Sequence, residues 1–268
     1  MNKIHLTTII FLMMISIVSC NKDDGGNTGG NGGSTENEMI DKVYSSVQNL
    51  NIEVAYEQGA EPVTTVGIFN DNVWSFTELN IDALFLGANN TPNINYDKTI
   101  AEMTNIPAQN KTSYTQEDLQ NLADQYQIGA NNDTEATVFL VFVDGYYNDG
   151  TQDRQNVLGV NVSGTFVTAI FKQVVTDVAS DESTQGDIEQ ATVVHEVGHA
   201  LGLVNNGVPM VVSHQDADHG KHCTNQNCLM FWEVSGGQIS SFVGGPLFDN
   251  NQVLFGQECL DDTRTYVP

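Results

Sequence analysis

Residues 195–205 read His195-Glu196-Val197-Gly198-His199-Ala200-Leu201-Gly202-Leu203-Val204-Asn205, and the spacing of the first five decides the fold. On an α-helix His195 and His199 stand four apart on one face, so both imidazoles reach a single Zn²⁺ while Glu196 stands beside a water on that ion. Neutral imidazole is a good zinc ligand, and three protein ligands with an open fourth position bring a bound water to a pKa of about 7. Glu196 is then placed to take that water's proton as it attacks a carbonyl, and to return it to the leaving group. Val193, Val194, Val197, Ala200, Leu201 and Leu203 suit a helix whose other faces pack into a core. Asp187, ahead of Ile188 and Glu189, suits an N-cap, so the spacing predicts a helix over 187–203. The alternative is a buried amphipathic helix whose histidines merely hydrogen-bond. The five-residue motif arises by chance, but rarely in such a helical context.

Five of the six histidines (His195, His199, His214, His219 and His222) fall between residues 195 and 222, a short His-rich tract of the kind that binds metal. With two ligands on the helix, His222, His219 and His214 compete for the third place, in that order, and Asp216 and Asp218 more distantly. Each loser would be a solvated loop residue or a partner that donates to a ligand.

Gly202, three residues after His199, extends the resemblance to the metzincin clan, which reads H-E-x-x-H-x-x-G-x-x-H. The final position here is Asn205, whose neutral amide oxygen is a poor zinc ligand. Further on, His222-Cys223-Thr224-Asn225-Gln226-Asn227-Cys228-Leu229-Met230 resembles the archaemetzincin segment of a zinc-binding His, then Cys, four residues, Cys, one residue and Met. The resemblance implies His222 as third ligand after an insertion over 205–221, an arrangement with a precedent in leishmanolysin-like metzincins. It also implies Met230 as the Met-turn residue, beneath the metal without ligating it. The likeness covers about residues 187–232.

The rest of the chain fits a mixed α/β domain of the α+β class. Helices are expected over 38–50 and, with Thr115 as N-cap and Asp118 closing a capping box, to about Tyr126. Strands are expected over 52–56, 136–147, 157–162 and 166–171, the last two joined across Ser163-Gly164. A mixed twisted sheet followed by an active-site helix is the order the resemblance implies, with an irregular C-terminal subdomain over 205–268. Residues 148–153, Asn-Asp-Gly-Thr-Gln-Asp, could bind calcium but lack the EF-hand order of ligands, and a plain turn is the stronger reading.

Residues 1–19 carry a basic Lys3, an apolar run from Ile9 to Val18 and a small Ser19, a secretory leader too short to span a membrane. Ile17-Val18-Ser19-Cys20 looks like a lipobox, which implies lipidation at Cys20. Residues 20–37 form a Gly- and Asn-rich linker that lets a folded domain, 38–268, stand off a bilayer. Lys22-Asp23-Asp24 resembles the export signal of Bacteroidetes surface lipoproteins, which implies an outer-membrane protein, lipid-anchored and facing outward.

A net charge of −25 leaves nothing to form a basic stripe and excludes nucleic acid as a partner. After lipidation Cys223, Cys228 and Cys259 remain; export favours one disulfide among them, in any pairing, and a spare thiol. Archaemetzincins hold a structural second zinc with four cysteines, so the expected complement here is one catalytic Zn²⁺. The expected activity is that of a monomeric zinc metallopeptidase acting on protein or peptide substrates. The competing readings are a non-catalytic zinc-binding surface module for adhesion or binding, and a lipoprotein whose histidines scavenge metal.

Overall fold

The computed structural model describes residues 36–66, 71–236, 238–243 and 252–268. The leader and Cys20 lie outside the described residues. Among those described, no helix is long and apolar enough to cross a membrane. Glu36 and Asn37, expected in the linker, begin helix α1 (Glu36–Val43), which leads into β1 (Asn49–Glu57). A short pair, β2 (Thr65–Val66) and β3 (Asp71–Asn72), precedes α2 (Ser75–Phe85). Then come β4 (Asn93–Tyr96), β5 (Thr104–Ile106), β6 (Ser113–Tyr114) and α3 (Gln116–Tyr126). β7 (Glu135–Val143), β8 (Tyr146–Asn148), β9 (Asp153–Arg154), β10 (Gly159–Asn161) and β11 (Val167–Phe171) follow. They carry the chain to α4 (Lys172–Val178) and α5 (Glu182–Ala200). Beyond α5 regular structure is sparse: a 3₁₀ turn (Trp232–Ser235), α6 (Ser240–Val243) and α7 (Gln257–Thr265).

The main sheet runs β10-β11-β7-β1-β4, with β5 on the far end of the β1 edge that also carries β4. All pairs are parallel except β10 with β11, so the fold is mixed α/β with one antiparallel edge strand. β7, Glu-Ala-Thr-Val-Phe-Leu-Val-Phe-Val, is buried from Ala136 to Val143, as a central parallel strand covered on both faces must be. Trp74 closes one side of it: its ring lies 6.4 Å from Phe142 and its indole N–H donates to Val63 O.

Among the boundaries that differ from the sequence expectation, one is set by groups distant in sequence and two by local turns and caps. α1 stops at Val43, not near residue 50, because side chains distant in sequence take over its terminal carbonyls: Asn90 donates to Val43 O and Val47 O, and Asn89 to Tyr44 O. The strand expected through Tyr147 ends at Val143 and restarts as β8 after a turn at Asp144-Gly145. α5 begins at Glu182, with Asp181 as N-cap accepting from Thr184 N at 2.9 Å, so Asp187 lies inside the helix. The α3 start is as expected, with Thr115 and Asp118 forming both bonds of the capping box.

α5 is buried all round from Ile188 to Ala200, so each polar side chain on it needs a partner. Glu189 accepts from Val63 N and pairs with Lys172; Gln190 accepts from the Thr77 hydroxyl; Thr192 donates to Ile188 O. Val193, Val194, Val197 and Leu201 are sealed completely, each contributing about 1.5–3 kcal/mol of burial. The helix that carries His195, Glu196 and His199 is therefore also the spine of the core.

Candidate metal centre

His195 and His199 lie one turn apart on α5, with Nε2 atoms 3.1 Å from each other. His222 comes from the loop segment after the helix, and its ring centroid is 5.1 Å from each of the other two. One nitrogen from each of the three rings falls within 4.8 Å of the others. The Nδ1–H of His195 donates to Leu229 O at 2.6 Å, and that of His222 to His219 O, so in both rings Nε2 is left as an acceptor. Burial pulls His195 down to about 3 and pushes His199 and His222 below the ordinary histidine range. Neutral rings with converging lone pairs repel one another unless a cation sits between them, and a single shared proton serves only two of the three. The donor set and spacing fit Zn²⁺.

Glu196 is 2% exposed beside the triad. Burial pushes its carboxyl up to about 8, opposed by a hydrogen bond from the Asn161 N–H on the edge strand β10. Gly159, two residues earlier, lets that strand lie against α5: a Cβ there would come within 2.7 Å of Thr192 Cγ2, 2.9 Å of Glu196 Cγ and 3.1 Å of Ala169 O. Gly159→Ala is therefore expected to destabilise the protein by about 1–3 kcal/mol through overpacking, read as a lower melting temperature. An unchanged melt would mean that strand and helix part without strain.

Met230 is fully buried against α5, its Sδ so close to Gly198 that a Cβ there would meet it at 2.6 Å. The chain leaves α5 at Gly202, whose φ of 89° is left-handed and open to glycine at little cost. Val204 and Asn205 follow at φ 55° and 58°, a backbone that a β-branched residue adopts only under restraint. The restraint is visible: Val208 N bonds Gly202 O, and Asn206 Nδ2 caps His199 O. Asn205 stands outside the triad, its side chain turned to Gln215.

The two lower-ranked candidates for third ligand go elsewhere. His219 pairs with Asp216 at 2.7 Å and stacks on Trp232 with the ring planes 6° apart. His214 enters a second donor cluster. Its Nδ1 is 3.3 Å from Cys223 Sγ, and its Nε2 is 2.7 Å from Asp262 Oδ2 on α7. Cys228 Sγ lies 3.6 Å from Cys259 Sγ, and all three described cysteines are free and buried, so the expected disulfide is absent among the described residues. His214, Cys223 and Cys259 form one triad within 4.8 Å, and Cys223, Cys228 and Glu258 an overlapping one. The N–H groups of Asn225, Met230 and Gly256 point at the Cys223 and Cys228 sulfurs, which favours thiolate. Counting cysteines alone left this cluster one donor short. Counting histidines with them would have reached four; Asp262 and Glu258, remote in sequence, carried no signal.

Loop 148–153 is a closed turn: Asp149 accepts from Thr151 N, Thr151 Oγ1 and Gln152 N and pairs with Arg154, leaving little carboxylate oxygen for calcium.

No protein-family model matches the chain, and no curated protein sequence matches it. Two solved structures are similar. One is a zinc-dependent peptidase from Methanocorpusculum labreanum, at 13% identity and a TM-score of 0.43, covering 80% of this chain and 99% of that one. The other is the archaemetzincin of Methanopyrus kandleri, at 12% identity and a TM-score of 0.41, covering 80% of this chain and 92% of that one.

Proposed function

We propose that this chain is a zinc-dependent metalloendopeptidase of metzincin type, in which His195, His199 and His222 hold the catalytic zinc and Glu196 is the general base. The observation that carries the reading is the convergence of three neutral imidazoles, two with their Nε2 fixed as acceptors by carbonyl partners, beside a buried carboxylate. Zinc, when bound, polarises a peptide carbonyl and acidifies water. Glu196, steadied by the Asn161 N–H, accepts a proton from the attacking water and hands it to the departing amine. Burial suits the carboxyl to both halves of that task, since a base poised near neutrality both takes and returns a proton. Met230 acts through packing, as a floor beneath the ligand-bearing turn of α5. His214, Cys223, Cys228 and Cys259 would hold a second ion, which suits a structural role. The substrate is protein or peptide, and Cys20 tethers a monomer to the outer membrane, facing outward.

Metal analysis of the purified protein tests this reading. Two zinc ions per chain are expected. A strong chelator is expected to abolish cleavage of an unstructured peptide, and added zinc to restore it. Protein that purifies without zinc, or cleavage that survives chelation, contradicts the assignment.

A further inference from the structure

The two donor clusters share one short stretch of loop. His222 and Cys223 are consecutive, and in extended chain successive side chains point to opposite sides, so one residue faces the first cluster and the next faces the second. Cys223 is paired on both flanks, with bridges to Gln215 and to Phe231. Its N–H bonds Met230 O at 2.7 Å, while Thr224 N bonds His214 O and Asp216 N bonds His222 O. The other cysteine of this segment is coupled to the first cluster as well. Cys228 Sγ accepts from Met230 N, and between them stands Leu229, whose carbonyl takes the Nδ1–H of His195. The rest of the loop that delivers His222 is tied largely to itself, through Gln215 to Gly220 O and His219 to Asp216, and to the turn after α5 through Lys221 to Asn205 O. Val211, Val212 and Ser213 are exposed, and Val211 is tied to the body by its N–H to Asp262 Oδ1, the same carboxylate that pairs with His214.

We propose that the His214–Cys223–Cys228–Cys259 cluster positions the catalytic ligands: a metal ion held there locks the loop segment that presents His222 and the Leu229 carbonyl that orients His195, with His214 and, through it, Asp262 as positioning residues. The proposal rests on the zinc-peptidase reading above and adds a direction of dependence to it. Losing the second ion weakens the first site, because His222 is presented from a loop and not from the helix. A histidine donor whose other nitrogen is held by a buried carboxylate is the arrangement that fixes ring orientation in metal sites, and loss of such partners typically costs about 10- to 100-fold in metal affinity.

The test compares the purified parent with His214→Ala, His214→Cys and Asp262→Asn. Zinc stoichiometry, chelator competition for the remaining zinc, and the thiolate charge-transfer absorption of the cobalt(II) forms are measured, together with the zinc concentration that half-restores cleavage. His214→Ala is expected to lose the thiolate-bound ion and to hold the remaining zinc about 10- to 100-fold more weakly, with cleavage recovered at high zinc. His214→Cys, which resupplies a donor, is expected to regain both the absorption and the parental affinity. If His214→Ala loses the second ion yet keeps the first at parental affinity, the proposal is overturned and the peptidase reading stands. Should that variant fail to fold, Asp262→Asn decides: it keeps all four donors but frees the His214 ring, so the second ion is stripped at a lower chelator concentration, and parental affinity at the first site once that ion is lost would overturn the coupling. A parent whose zinc content is unchanged by His199→Ala would overturn the peptidase reading itself, and the coupling with it.

Discussion

Glu196→Gln is expected to retain zinc at the parental stoichiometry and to lose about 10²- to 10⁴-fold in the rate of peptide cleavage, the usual contribution of a positioned general acid–base. The amide has the shape of the carboxylate, and its oxygen can still accept from the Asn161 N–H, so the packing of Gly159 against Glu196 Cγ is preserved. What is removed is the capacity to take a proton. The measurement is kcat on a quenched peptide alongside metal analysis. Cleavage by the variant equal to that of the parent would refute the role of Glu196, and a parent that binds zinc but cleaves nothing would favour a non-catalytic binding module. A metal scavenger would instead show several loosely held ions.

The second large effect lies in the core. Lys172, at the start of α4, pairs with Glu189, which has no exposed side-chain surface and sits six residues before His195 on α5. Burial drives the Glu189 carboxyl above the ordinary carboxylate range, and the Lys172 ammonium and the Val63 N–H pull it back in part. Lys172→Met is expected to cost about 3–5 kcal/mol near neutral pH, because it strands a charge in the interior. The sign of the pH dependence follows. In the variant the folded-state pKa of Glu189 rises further above its unfolded value, so the loss is small below the unfolded carboxylate range. It grows as pH rises through the folded pKa. Denaturant melts of parent and variant across that range measure it. Adding Glu189→Gln to Lys172→Met is expected to recover much of the loss, since the neutral amide still accepts from Val63 N. A pH-independent loss would mean that the pair acts through packing of the lysine stem.

Much of this architecture was legible because it is local. The capping box at Thr115 and Asp118 is written within four residues, and the buried run 136–143 marks a central strand by its own composition. Helix ends were less legible where they depended on remote groups: Asn89 and Asn90, far from α1 in sequence, set where it stops. The same holds for the two candidate metal sites. His195, Glu196 and His199 are placed by helical periodicity alone, whereas His222 is brought to them by a loop whose path depends on Asp262, Gly202 and the Cys223 pairings.

Helical geometry spaces residues i and i+4 regardless of context, so the sequence by itself determined that two imidazoles share a face with a carboxylate next to them. It could not determine which of three loop histidines joins them, nor that His214 belongs with the cysteines. Those outcomes depend on contacts between segments tens of residues apart, where closing the chain carries no periodic signature, and only the tertiary structure decides them.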